Sequence, residues 1–517
     1  MSYLELGILI VLGWIIGMLV LRPYINRSKH FQTMGGILLL IKVKKNRKII
    51  DSIAGISDSK LYSRLSISIV YLLFAMGISV LLLGTILSFQ VKENVPVSEY
   101  LLIPGINPDV PIVFGIIALA FSLTIHEMFH GIVARKHGIT LTSVGLMLFV
   151  VPVGAFVEPD EKQITEADPV VRRRVVGAGI AVNFVIGVIM FLLLSMAFSH
   201  AAVQTVPGSY VDGMISGGNV TDLNITHTEL VKFGTYTGNN LTNLITYSQI
   251  NPGSTVTAQF YNGSGYRNVS IIAGVEVVTT YIGYPAYENI SLGDYIISIN
   301  NQTIYNETSL SNVLDSVEPG KPLSMVVGTP EAGTMTLRDK YLNFTAPSTY
   351  SFYEKYYPSE VTLAMKNQSF IGVGITYSGM ELVSISSLKT IVFADTAYSG
   401  SFRGVIETIA LPFGGYSPIP SSLAHLFTVP MGQTVFFFLA NTIYWLFWVN
   451  FLLSITNALP LSIFDGAQFL RDTLMIASRK ERFKYFREEK NIAAILSLST
   501  TLILLMLMIE IVVPRII

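Results

Sequence analysis

The run His126-Glu127-Met128-Phe129-His130 sits inside an apolar stretch from Val110 to Ala134. A stretch of that length can cross a bilayer as a helix. Ionisable groups at membrane depth are costly and by default mark function. On a helix, two imidazoles four residues apart fall on one face, where both can bind one zinc ion. The Glu between them can then act as general base on a metal-activated water. The plainer alternative is a buried helix with two hydrogen-bonded core histidines.

Composition narrows the choices. Of 517 residues, 51% are hydrophobic and 13% charged, with a mean hydropathy of +0.55, as in polytopic membrane proteins. The formal net charge is zero, so nothing points to nucleic acid. There are no cysteines, which excludes disulfides and thiolate zinc sites; a metal must be held by His, Asp or Glu. The chain is too long for a helical bundle alone, so a sizeable extramembrane part is expected.

Apolar runs and basic loops predict about six spans with both termini outside. Tyr3–Leu21 reads as an uncleaved anchor, because no basic n-region precedes it. The basic segment from Arg22 to Lys48 places the next loop inside. Ile67–Phe89 returns outward, and Val110–Ala134 runs inward to Arg135-Lys136-His137. Gly145–Val157 is uncharged but too short to span; its composition suits a strand or hairpin re-entering a protein-lined cavity. Val175–Phe198 follows Arg172-Arg173-Arg174 and holds Gly177, Gly179 and a mid-span Asn183, small and polar residues that favour helix packing.

Residues 205–385 change character, being rich in Asn, Thr, Ser, Tyr and Gly with turn signals at Asn262-Gly263 and Pro319-Gly320. Sequons cluster there, at Asn219, Asn224, Asn240, Asn262, Asn268, Asn289, Asn301, Asn306, Asn343 and Asn367; chance in Asn- and Thr-rich sequence is the alternative to glycan use. A weak repeat relates Leu241-Thr-Asn-Leu and Asn251-Pro-Gly to Leu310-Ser-Asn-Val and Glu318-Pro-Gly. Leu292-Gly-Asp-Tyr-Ile-Ile-Ser-Ile-Asn-Asn resembles a strand of the PDZ family, which implies two tandem PDZ-like modules outside the membrane. The remaining divisions are residues 1–109 (first spans and basic loop), 110–200 (membrane core with the His-Glu motif), 386–430 (a proline-broken, membrane-associated linker) and 431–517 (the last spans).

A hydrolytic zinc needs a third protein ligand and an open position. Between residues 408 and 471 Asp465 is the one acidic residue, near the inner end of a span, as is the His pair. A helix N-cap is the competing role for an Asp before Gly. His425 is a rival ligand on the outer side, and His137 lies in a charged loop.

Taken in order, His126-Glu-Met-Phe-His130, Pro152-Val-Gly-Ala-Phe-Val157, Gly179-Ile-Ala-Val-Asn183, Asn457-Ala-Leu-Pro460 and Asp465-Gly466 resemble the site-2 protease family of intramembrane zinc metalloproteases. Phe129 and Ile180 depart from the Gly and Pro that many members carry there, and neither is a ligand. The resemblance looks closest to the eukaryotic-type branch in a prokaryotic, archaeal cell membrane. It implies that His126, His130 and Asp465 bind one Zn2+ and that Glu127 is the base. It further implies that Asn457 and Asn183 orient substrate backbone or stabilise the oxyanion, and that Gly154–Val157 offers a strand edge to an unwound substrate. Substrates would be single-span proteins already trimmed by another protease, with the PDZ-like pair as a filter and the active site near the cytoplasmic side. The alternatives are another membrane zinc protease with a downstream Glu ligand, a metal transporter or receptor, and a dead scaffold. No suitable Glu is seen for the first, no repeat among the spans for the transporter, and the scaffold is disfavoured by the presence of Glu127.

Overall fold

The computed structural model describes residues 3–28, 30–34, 36–43, 59–89, 104, 107, 110–214, 225–331, 334–357, 360–395, 402–412, 417 and 419–516. They divide into two compact units. One comprises 1–198, 402–418 and 438–517; the other comprises 199–401 and 419–437.

The first unit is helical. Its longer helices are α1 (Tyr3–Ile25), α2 (Ser59–Leu87), α3 (Ile112–Lys136), α4 (Pro169–Leu192), α5 (Gln433–Ala458), α6 (Asp465–Ala477) and α7 (Glu489–Ile516). Among the described residues, five helices are long and apolar enough to cross a membrane: Arg64–Leu87, Ile112–Lys136, Pro169–Ala201, Gln433–Ala458 and Glu489–Ile516. The expected sixth, near the N-terminus, coincides with the 23-residue helix α1, Tyr3–Ile25, of which Leu12–Ile25 is the apolar part among the residues described in full. Helix ends follow local chemistry. Asp168 caps α4 by accepting the Val170 amide, with Pro169 at the first position. Arg135 and Lys136 close α3, where cations suit the helix dipole.

A four-stranded antiparallel sheet runs β1 (Phe31–Met34), β2 (Leu38–Val43), β3 (Leu141–Phe149) and β4 (Val151–Pro159). The Gly145–Val157 stretch is therefore a hairpin. Two strands join it from the basic segment, which was expected to be only a loop. Leu39 to Val43 pair with Leu148 to Val144. Contact between β4 and α3 needs small residues: a Cβ on Gly131 would come within 2.5 Å of Val157. Ile132, Val133, Val157, Val175 and Ala178 form one core cluster. Val70, Leu73, Val176, Ile180, Ala458 and Phe469 form another, joining α2, α4, α5 and α6.

The second unit is built on a 12-stranded sheet. Its main strands are β5 (Ser209–Met214), β6 (Glu229–Phe233), β7 (Thr255–Tyr261), β8 (Tyr266–Ile272), β9 (Val275–Thr280), β10 (Tyr295–Ile299), β11 (Pro322–Pro330), β12 (Leu337–Thr345), β13 (Val373–Tyr377) and β14 (Met380–Ser384). Their order is β8-β7-β6-β5-β14-β13-β9-β10-β11-β12. Outward from the β13–β14 hairpin the two halves repeat one pattern. A short helical segment, 238–247 or 307–315, precedes β7 or β11. Leu241 and Leu310, which mark the repeat in sequence, are buried in separate cores. Each half also carries a cross-strand Tyr–Glu pair with the residues exchanged: Tyr210 faces Glu229 and Glu276 faces Tyr295. Both glutamates are fully buried, and among the described residues no cation pairs with either carboxylate.

Candidate metal centre

Helix α3 presents His126 and His130 on one face, as their spacing requires. Asp465, the first residue of α6, comes from across the unit. Its Oδ2 lies 2.8 Å from His126 Nε2 and 3.1 Å from His130 Nε2, and the two Nε2 atoms are 3.0 Å apart. Three ligand-type atoms thus converge, two from residues four apart and the third from a residue at least 335 positions away in sequence. Asp465 does not cap its helix: the N-cap position is Phe464, and the carboxylate turns to the imidazoles instead.

Each imidazole is held by its far nitrogen. His130 Nδ1 donates to the Val175 carbonyl at 2.8 Å. The side-chain nitrogen of the buried Asn183 lies 3.2 Å from His126 Nδ1, and among the described residues its carboxamide oxygen has no hydrogen-bond partner. With the carboxamide turned over, that oxygen would accept the Nδ1 proton. Both rings would then present an unprotonated Nε2 toward Asp465, the tautomer and support that metal-binding histidines require. Two neutral imidazoles and one carboxylate, with mutual spacings near 3 Å, suit a divalent ion about 2 Å from each. The donor set fits zinc, with a fourth position left for water.

Glycines make the approach possible. A Cβ on Gly179 would sit 2.5 Å from His130 Nε2 and 3.0 Å from His126 Nε2. A Cβ on Gly466 would sit 2.3 Å from the Ala458 and Leu459 carbonyl oxygens. The Asp-Gly pair therefore has a steric reason: only glycine lets α6 start against the end of α5 and aim Asp465 inward.

The other expected site residues fall around this point. Glu127 is half-buried on the same helical turn. Asn183, expected to orient substrate or stabilise the oxyanion, is fully buried and lies against His126. Asn457 is half-buried in the last turn of α5 and, among the described residues, hydrogen-bonds none of the three. The β4 strand runs beside α3, and the Thr124 hydroxyl accepts the Ala155 amide at 2.9 Å. That edge is therefore partly satisfied by the helix carrying the histidines. His137 is the α3 C-cap, and His425 belongs to the other unit. Sequence reasoning missed the Val175 carbonyl and Thr124, whose roles depend on tertiary placement.

Residues 114–505 match the model of peptidase family M50. An uncharacterized protein of Methanocaldococcus jannaschii is 30% identical over 181 residues, covering 34% of this chain and 48% of that relative. The chain thus spans about half the length of the curated relative it matches. The match runs through His126, His130 and Asp465, and the chain belongs to peptidase family M50, the site-2 protease family.

Proposed function

We propose that this chain is an intramembrane zinc endopeptidase that hydrolyses peptide bonds within the membrane-spanning segments of single-span proteins. The observation that carries the reading is the convergence of His126, His130 and Asp465 on one point, with both imidazoles braced at Nδ1. These three residues hold the ion, which when bound supplies a Lewis acid and a water of lowered pKa. Glu127 takes the proton of the attacking water and delivers it to the leaving amine. Asn183 keeps His126 in its working tautomer. Asn457 orients the substrate backbone near the scissile bond.

A helix must unwind before its amides can be attacked. The β4 edge from Gly154 to Val157 is placed to take an extended segment by strand addition, in competition with the Thr124 contact. The sheet unit, with its two repeated halves, serves as a PDZ-like pair outside the membrane that admits only substrates already trimmed. The basic end of α3 supports an active site nearer the cytoplasmic face.

The test is cleavage of a short single-span peptide by the purified chain, wild type against Glu127→Gln, with and without a zinc chelator. Cleavage within the span, lost in the mutant and with chelator, supports the reading. Metal bound but no cleavage across a panel of spans overturns it in favour of a transporter or receptor.

A further inference from the structure

Asp465 is the sole ligand that does not come from α3, so its position depends on how α6 is held. Counting along α6, Asp465, Phe469 and Asp472 fall on one stripe two turns long, about 10 Å from end to end. Phe469 packs against Gly177 of α4. Asp472 is fully buried, and its Oδ1 accepts Arg172 Nε at 2.9 Å and Nη2 at 2.7 Å. Arg172 Nη1 also donates to the Thr165 and Ala167 carbonyls, 3.0 Å each. The guanidinium therefore ties together α6, the start of α4 and the turn before it. Helix α4 is also the element whose Val175 and Asn183 brace the two histidines.

We propose that Arg172 and Asp472 are positioning residues for the metal centre, a buried clamp that fixes the register of α6 against α4 and so the place of the Asp465 carboxylate. This rests on the metal reading above. A buried pair of this kind is costly to break from one side, because it leaves an uncompensated charge, and support of a ligand typically governs metal affinity by 10–100-fold. A second pair lies at the surface just beyond the ends of the same two helices: Arg479 Nη2, past the end of α6, lies 2.6 Å from Oδ2 of Asp168, the N-cap of α4, with both side chains about half exposed. It provides an internal control, since exposed pairs contribute little.

The experiment measures zinc affinity of the full chain in detergent by competition with a chromophoric chelator, beside the midpoint of thermal unfolding. Arg172→Gln and Asp472→Asn are expected to weaken zinc roughly 10–100-fold in the folded fraction. Arg479→Gln should bind as wild type. Arg172→Lys keeps the charge without the fork and should fall between them. The swap Arg172→Asp with Asp472→Arg should recover at least part of the loss. Should the single variants not fold, Arg172→Lys and the swap carry the test alone. Lowered thermal midpoints with unchanged zinc affinity overturn the proposal and leave the pair a purely structural brace. A wild type that binds no zinc overturns the metal reading itself, a separate outcome.

Discussion

Raising the pH from 4 to 9 should destabilise the sheet unit through Glu229 and Glu276. Burial pushes the Glu229 carboxyl from 4.5 up to about 8 and that of Glu276 up to about 7, with the Tyr295 hydroxyl opposing the second. Tyr210 and Tyr261 flank Glu229 on adjacent strands, and Tyr295 and Thr376 flank Glu276. No cation pairs with either carboxylate among the described residues. Both folded pKa values lie above the unfolded one. The favourable state is therefore the protonated one: stability is complete below about pH 4.5, declines as pH rises, and levels off above about 8. One pKa unit is 1.36 kcal/mol, so the two groups together cost on the order of 8 kcal/mol across that window. For a unit of this size that is a fall of roughly 20 °C in thermal midpoint. The assay is thermal unfolding of the full chain at a series of pH values, followed by far-ultraviolet circular dichroism in the strand region. The double variant Glu229→Gln, Glu276→Gln mimics the protonated acids and should flatten the profile. An equally steep decline in that variant would refute the assignment to these two carboxyls.

Other expectations concern the metal centre. Asp465→Asn should weaken zinc binding, read as metal retained after extensive dialysis; unchanged stoichiometry would remove Asp465 from the ligand set. Asn183→Ala should lower zinc affinity about 10–100-fold through loss of the Nδ1 brace, while Asn457→Ala should leave affinity unchanged and lower turnover. Gly179→Ala puts a methyl 2.5 Å from His130 Nε2, and should abolish binding more completely than Gly177→Ala, whose nearest neighbour is the Phe469 ring edge at 3.3 Å. Equal effects of the two glycine changes would count against the packing argument.

What could be read from sequence was what local spacing encodes. The His126–His130 pair follows from helical periodicity, and Asp465 from being the lone acid in a long apolar region. The strand character of Gly145–Val157 and the paired leucines 241 and 310 were legible for similar reasons. The β1–β2 hairpin was not, because its apolar residues are embedded among lysines and arginines that read as a membrane-flanking loop. The neighbour of Asn183 was not legible: a mid-span amide needs some partner, and sequence does not say that it is His126. Gly466 needed the α5 carbonyls in place before its necessity was visible. The buried glutamates had no signature at all: each sits in ordinary strand alternation, and only the covering layers make it anomalous.

The sheet unit is wired as nested brackets. Val203–Gln204 pair with Phe427–Thr428; inside them Ser209–Met214 pair with Met380–Ser384; inside those, Val275 pairs with Tyr377, and the Ser378 amide donates to the Gly274 carbonyl at 2.9 Å. Closing the outer pairs from an unfolded chain would mean joining ends separated by some of the longest intervals in the unit, with the entropy that such loops cost. Once 275–377 has folded, however, it enters and leaves at one point and counts as a short bridge for the next pair. Synthesis from the N-terminus lets β5 pair with β6 at once but leaves its other edge unpaired until β14 emerges, so that edge waits through the making of the whole second half. Pulse-labelling hydrogen exchange on refolding should find β9–β13 protected before β5 and β14; simultaneous protection would mean that the unit folds as one block.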